Sequence, residues 1–224
     1  MRWIVEGLIP EGLTILAGQS KAGKSWFLLQ MGLAVAKGHD FLGFNTVKTK
    51  AVYLAIEDSE RRIQSRMNYQ QQRGSANLQI LDRWDGGLDS LVRDLHAIPD
   101  VKLIVIDTWG RFIGKVDGND YHEVTEKIGR LHTIAKEHGI AVIVCTHTKK
   151  GMGASDWLDD VIGSKALVGC ADTILKLSRE RKSDEGNIDV TGRDVHEQSI
   201  GIRRDEFWRW NLSELNGISE DTVR

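Results

Sequence analysis

The sequence predicts an α/β fold: a mainly parallel central sheet flanked by helices, with an antiparallel C-terminal edge. Three observations predict it. Short apolar runs alternate with helical patterns from Leu13 to Cys145, and strands this apolar need cover on both faces. After Thr173 short strand patterns follow one another across polar turns with no helix between them, which is the mark of antiparallel neighbours. A glycine-bearing segment, Gly18 to Ser25, leaves the first apolar run and enters the first helical one.

The elements follow in order. Leu13 to Ala17 reads as a buried strand and Lys24 to Ala36 as a helix. Ala51 to Ile56 is a second strand, followed by a charged helix from Ser59 to about Arg73. Leu78 to Leu81 is a short strand, and Leu88 to Ile98 is a helix that stops near Pro99, where proline disfavours a helical predecessor. Lys102 to Ile106 is a strand, Tyr121 to His138 a helix and Ile140 to Cys145 a further strand. Thr173 to Leu177, Asn187 to Thr191, Ser199 to Arg203 and Trp208 to Leu212 form the late strands. Asn216 to Arg224 is polar and expected to fray.

With 224 residues, 41% hydrophobic and 28% charged, the chain is expected to form one soluble domain over 1–224. No apolar run reaches the roughly 18 residues of a membrane span, and Glu6 comes too early for a signal peptide. Cys145 and Cys170 lie in apolar surroundings without metal-ligand spacing, so two buried thiols in a reducing cytoplasm are expected. A net charge of −2 means that any contact with nucleic acid must use a local basic surface.

Gly18-Gln19-Ser20-Lys21-Ala22-Gly23-Lys24-Ser25 fits G-x-x-x-x-G-K-[ST] between a strand and a helix, the setting of a Walker A P-loop. Such a loop turns backbone amides toward phosphate oxygens, and the helix N-terminus adds favourable partial charge. Lys24 is placed to reach the β- and γ-phosphates and Ser25 to ligate Mg²⁺. Trp26, which follows directly, is counted with Gly18 to Ser25 among the expected nucleotide-binding residues.

Other polar groups close the strands. Asp107 ends an apolar strand and is the second expected Mg²⁺ residue, acting usually through water. Glu57 and Asp58 end the Ala51 strand, and carboxyl ends of parallel strands face the ligand crevice. Glu57 is the candidate that orients the attacking water, while Asp58 or Ser59 could serve only to cap the next helix. Thr146 and His147 end another strand and could sense the γ-phosphate. The other six histidines form no metal constellation.

Taken together, Val5-Glu6-Gly7-Leu8-Ile9-Pro10, the P-loop with its flanks, Tyr53 to Arg62, Val105-Ile106-Asp107-Thr108 and Thr146 to Lys150 resemble the RecA-like hexameric replicative DNA helicases of the plasmid RepA type. Gly163 to Leu167, Ala171 to Leu175 and Thr191-Gly192-Arg193-Asp194-Val195 continue the resemblance in the family's order. It implies a RecA-like fold, ATP with Mg²⁺, and a homo-oligomeric ring, usually of six subunits. One subunit's arginine would contact the γ-phosphate bound by the next, and Arg193 is the candidate. Its alternative is a surface arginine paired with Asp194, and Arg179 and Arg181 are rivals for the role. The resemblance also implies two single-stranded DNA loops, Trp109 to Asn119 and Lys149 to Trp157, with Arg111, Lys115, Lys149 and Lys150 as basic contacts. Aromatics in those loops are expected to stack on bases.

About a dozen residues precede the first strand, so the N-terminal arm that docks on a neighbouring subunit is expected to be short or missing. No primase or zinc module is expected within the chain, so those activities would come from other replication proteins as partners. The resemblance implies an ATP hydrolase that moves on DNA in plasmid or phage replication. The alternative is an ATP-switched loader or regulator of replication or recombination without unwinding. A metabolic P-loop kinase is disfavoured, because no acceptor-binding motif is present.

Overall fold

The computed structural model describes residues 2–84, 86–114, 121–148, 157–161 and 164–213. In chain order these give β1 (Trp3–Val5), β2 (Ile9–Pro10), β3 (Gly12–Gly18), α1 (Lys24–Lys37), β4 (Lys50–Ala55) and α2 (Glu60–Tyr69). Next come β5 (Leu78–Leu81), α3 (Gly87–Ala97), β6 (Val101–Asp107), α4 (Trp109–Phe112), α5 (Tyr121–His138) and β7 (Ala141–His147). A 3-10 turn at Trp157–Asp160 leads to α6 (Ser164–Cys170), β8 (Thr173–Arg179), β9 (Glu185–Gly192), β10 (Gln198–Arg204) and β11 (Trp210–Leu212).

Nine of these strands form one sheet in the order β11-β10-β9-β8-β3-β7-β6-β4-β5. The run from β8 to β5 is parallel, and β9, β10 and β11 pair antiparallel. The expected architecture is therefore present. β8 belongs to the parallel part, so the antiparallel edge begins one strand later than the turn pattern alone indicates.

Side-chain alternation builds two cores. On one face Leu16, Tyr53, Leu103, Val105, Ile143 and Cys145 pack with Phe27, Leu28, Met31 and Val35 of α1. On the other, Leu13, Ile15, Ile104, Ile106, Val142 and Val144 pack with residues of α3, α5 and α6, among them Leu91, Leu131 and Leu167. Each fully buried aliphatic side chain contributes about 1.5–3 kcal/mol.

Short elements account for the differences from expectation. The β1–β2 pair and α6 span too few residues to display a period. Helix α2 stops at Tyr69, because Gln71 takes a left-handed φ of 52°. Strand β11 starts at Trp210 and not at Trp208. The carboxylate of Asp205 accepts from the amides of Phe207 and Arg209, each at 2.9 Å, and Trp208 itself lies in the left-handed region at φ 59°. The side-chain amide of Gln30 on α1 then donates to the Trp210 carbonyl and accepts from its N–H, both at 2.8 Å. That pair binds the last strand to the helix that carries the P-loop. Among the described residues no helix is long and apolar enough to cross a membrane.

Candidate active site

Strand parity aims the polar residues. Asp107 has the parity of Leu103 and Val105, so it faces α1, and His147 shares the parity of Cys145. The register sets Gly18 beside His147 and Ala55 beside Asp107. The carboxyl ends of β3, β7, β6 and β4 therefore meet at the start of α1.

The P-loop depends on two glycines. Gly23 has a φ of 110°, and a methyl group there would lie 2.8 Å from the Trp210 ring. At Gly18 a methyl would lie 2.5 Å from the carbonyl oxygen of Leu177. Lys24 opens α1 and is only 6% exposed. Its Nζ donates to the carbonyls of Gly18 at 2.7 Å and Gln19 at 3.0 Å, and lies 3.3 Å from Nδ1 of His147. Burial lowers the Lys24 pKa, against the pull of Cys145, Asp107 and Glu57. Burial and then the Lys24 charge lower that of His147. A neutral ring with an unprotonated Nδ1 suits an ammonium donor.

Asp107 is 3% exposed and accepts from the Tyr53 hydroxyl at 2.8 Å. Burial first, and then Asp107, push the Tyr53 phenol well above its usual range, so it stays a donor. The same causes keep the Cys145 thiol protonated. Thr108 follows a cis peptide after Asp107, and its hydroxyl donates to Oε1 of the exposed Glu57 at 2.8 Å. Asp58 turns the other way, onto Arg62 and Arg66, while the Ser59 hydroxyl caps α2 by accepting from the Arg62 amide. Of the two capping candidates, Ser59 holds the cap position and Asp58 anchors the helix laterally.

The structure thus brings Lys24, His147, Asp107 and Glu57 to one end of the sheet. It holds Arg193 at the other end. Gly192 pairs with Thr173 at the start of β8, whereas Gly18 pairs with Leu177 near its end. Arg193 lies 3.6 Å from Asp172, not paired with Asp194, and donates to the Gly169 carbonyl at 3.1 Å. Asp172 also accepts from the Leu13 amide at 2.9 Å and meets His132 at 2.9 Å. Within one chain, Arg193 does not join the P-loop. Its rival Arg179 does, from outside the loop.

Arg111 is exposed at the end of the sheet that carries the site. Lys115, Lys149 and Lys150 lie outside the described residues. The expectation of base-stacking aromatics is corrected for Trp109 and Phe112. Both are buried in the second core with their rings stacked at 6.1 Å, so apolar burial has claimed the ring faces that stacking would need. Trp157 packs half-buried on the same core, with Lys176 over its ring at 5.7 Å. Cys170 is likewise only half-buried, where a buried thiol was expected.

Motif reading misses the roles of Tyr53 and Thr108, and it offers Arg179 only as a rival for the trans-acting arginine and not as a partner of its own P-loop. Tyr53 had a signal: it is the one hydroxyl in the apolar run Ala51 to Ala55, on the parity that faces Asp107.

A hydroxyl and a buried carboxylate form an all-oxygen donor set that suits Mg²⁺. Ser25 and Asp107 would supply it, with the phosphates completing the shell. Among the described residues, no group of three or more His, Cys, Asp or Glu side chains could hold a metal alone.

The family model of the AAA domain matches residues 1–153, the span that holds the P-loop, Glu57, Asp107 and His147. The chain belongs to the AAA domain family. This AAA domain is 25% identical over 208 residues to the DNA repair protein RadA of Synechocystis sp., a match that takes in 88% of this chain. It spans 39% of the length of that relative. Its fold is similar to the RadB recombinase (TM-score 0.63, 19% identity, covering 92% of this chain and 93% of that one). It is also similar to a DnaB-like replicative helicase (0.73, 15%, 92% and 58%). At these identities the likeness is one of fold, and that fold is RecA-like.

Proposed function

We propose that the chain is an ATP-dependent DNA helicase or translocase of the plasmid RepA replicative type. The observation that carries this reading is the meeting of Lys24, His147, Asp107 and the Thr108-held Glu57 at the carboxyl ends of four neighbouring strands. The P-loop amides and Lys24 bind the triphosphate. Ser25 and Asp107 would hold Mg²⁺, which when bound would offset phosphate charge. Glu57 takes a proton from a water whose oxygen attacks the γ-phosphorus, and ADP leaves as the bond to its β-phosphate oxygen breaks. His147, hydrogen-bonded to Lys24, connects the γ-phosphate end to the segment beyond β7. Arg193 acts on the site of a neighbouring copy in a ring, and single-stranded DNA passes along Arg111, Lys115, Lys149 and Lys150.

Glu57→Gln tests the chemistry. It is expected to bind Mg·ATP like wild type and to lose turnover by about 100-fold or more; hydrolysis at the wild-type rate would end this reading. Strand displacement on forked DNA, run beside DNA-stimulated hydrolysis, tests the helicase. The likeness to a DNA repair protein at 25% identity favours a second reading, an ATP-switched recombination or repair factor. DNA stimulation without displacement is the result expected of that switch.

A further inference from the structure

Arg179, the last residue of β8, spends its guanidinium on backbone carbonyls. Nε donates to the Ala22 carbonyl at 3.2 Å and Nη2 to that of Lys21 at 2.9 Å. Nη1 donates to the carbonyls of Ser183 at 2.7 Å and Glu180 at 3.2 Å. One planar group therefore joins the crest of the P-loop to the turn between β8 and β9.

The peptide plane gives this contact its meaning. In a trans peptide the C=O of one residue points opposite to the N–H of the next. Pinning the carbonyl of Ala22 on the outer side turns the N–H of Gly23 inward, while pinning that of Lys21 fixes the peptide whose N–H, on Ala22, closes the turn onto the Gln19 carbonyl at 3.2 Å. The inner side of a P-loop is where amides gather around an anion. The same segment carries backbone strain: Lys21, a non-glycine residue, has a φ of 68°, a conformation that persists only when its surroundings impose it. Hydrogen bonds from a charged, planar donor are among the contacts able to impose it.

We propose that Arg179 is a positioning residue for the triphosphate: from behind the loop it sets the carbonyls of Lys21 and Ala22 so that the turn is held and the Gly23 amide faces the phosphates, without touching the nucleotide. This rests on the P-loop reading and is independent of any DNA activity. It also separates Arg179 from the trans-acting role for which it rivals Arg193.

The test uses the full chain, with inorganic tripolyphosphate and Mg·ATP as probes in calorimetry. Arg179→Ala is expected to weaken both by the same factor, about tenfold or more. Turnover at saturating ATP should stay within about threefold, which separates KM from kcat. Arg179→Lys keeps the charge but not the fork, and should recover only part of the affinity. Hydrogen exchange should quicken at the amides of residues 20–24 and not across the sheet. Wild-type affinity in the Lys variant overturns the inference, and that variant decides the matter if Arg179→Ala proves unstable. Unchanged binding with lost turnover in the Ala variant overturns it in favour of a trans role. A wild-type chain that binds no tripolyphosphate removes the P-loop reading itself, and this inference with it.

Discussion

Tyr53 donates its hydroxyl proton to Asp107 across 2.8 Å, from one parallel strand to the next. Both groups are buried, so no water can replace the bond. Tyr53→Phe keeps the ring and deletes the donor. It is expected to lower unfolding free energy by about 1–3 kcal/mol in urea titrations. A double-mutant cycle with Asp107→Asn should show that the two losses do not add; additive losses would mean that the pair does not act as one.

Thr108 holds Glu57, which is otherwise exposed. Thr108→Val should leave Mg·ATP affinity unchanged and reduce turnover by about tenfold, because the carboxylate loses its fixed position. Thr108→Ser retains the hydroxyl and should restore most of the rate. Steady-state kinetics on the pair distinguish this from a loss of fold.

Gly23→Ala meets two obstacles, a backbone at φ 110° and the Trp210 ring 2.8 Å from the new methyl. A destabilisation of about 1–3 kcal/mol and loss of tripolyphosphate binding are expected. Adding Trp210→Leu removes the clash but not the strained dihedral. The double variant should therefore stay defective, as calorimetry would show.

The pH dependence of His147 has a definite sign. Burial and Lys24 hold its pKa below the usual 6.5. Between the folded and unfolded values the unfolded chain binds more protons, so stability rises with pH in that window. The contribution is complete above about 6.5 and is lost as pH falls through the folded value. NMR titration of the ring should give a midpoint under 6.5. Lys24→Ala, which removes the neighbouring charge, should move it up.

The P-loop and the acid-terminated strands were legible because each is a local pattern: a glycine spacing, or an apolar run closed by a charge. The sheet interior was legible for the same reason, since Leu103 to Ile106 is apolar at every position. Contacts between elements distant in sequence were not. Nothing near Arg179 in the chain marks the carbonyls of Lys21 and Ala22 as its partners, and the Thr108–Glu57 bond joins residues that follow different strands. Trp109 and Phe112 misled for the opposite reason. A basic, glycine-bearing, aromatic stretch looks the same whether its rings face solvent or, as here, turn back into the core beneath α4.

Strand β3 has a different partner at each end. Near its exit, the carbonyl of Gly18 accepts from the ammonium of Lys24, the residue proposed to bind phosphate. Near its entry, the amide of Leu13 donates to Asp172, which also pairs with Arg193. Leu13 to Gly18, a single extended run within β3 and roughly 20 Å of backbone, is all that separates these anchor points. The strand is a shared tether: the backbone whose carbonyl receives Lys24 is the same backbone whose amide fixes Asp172.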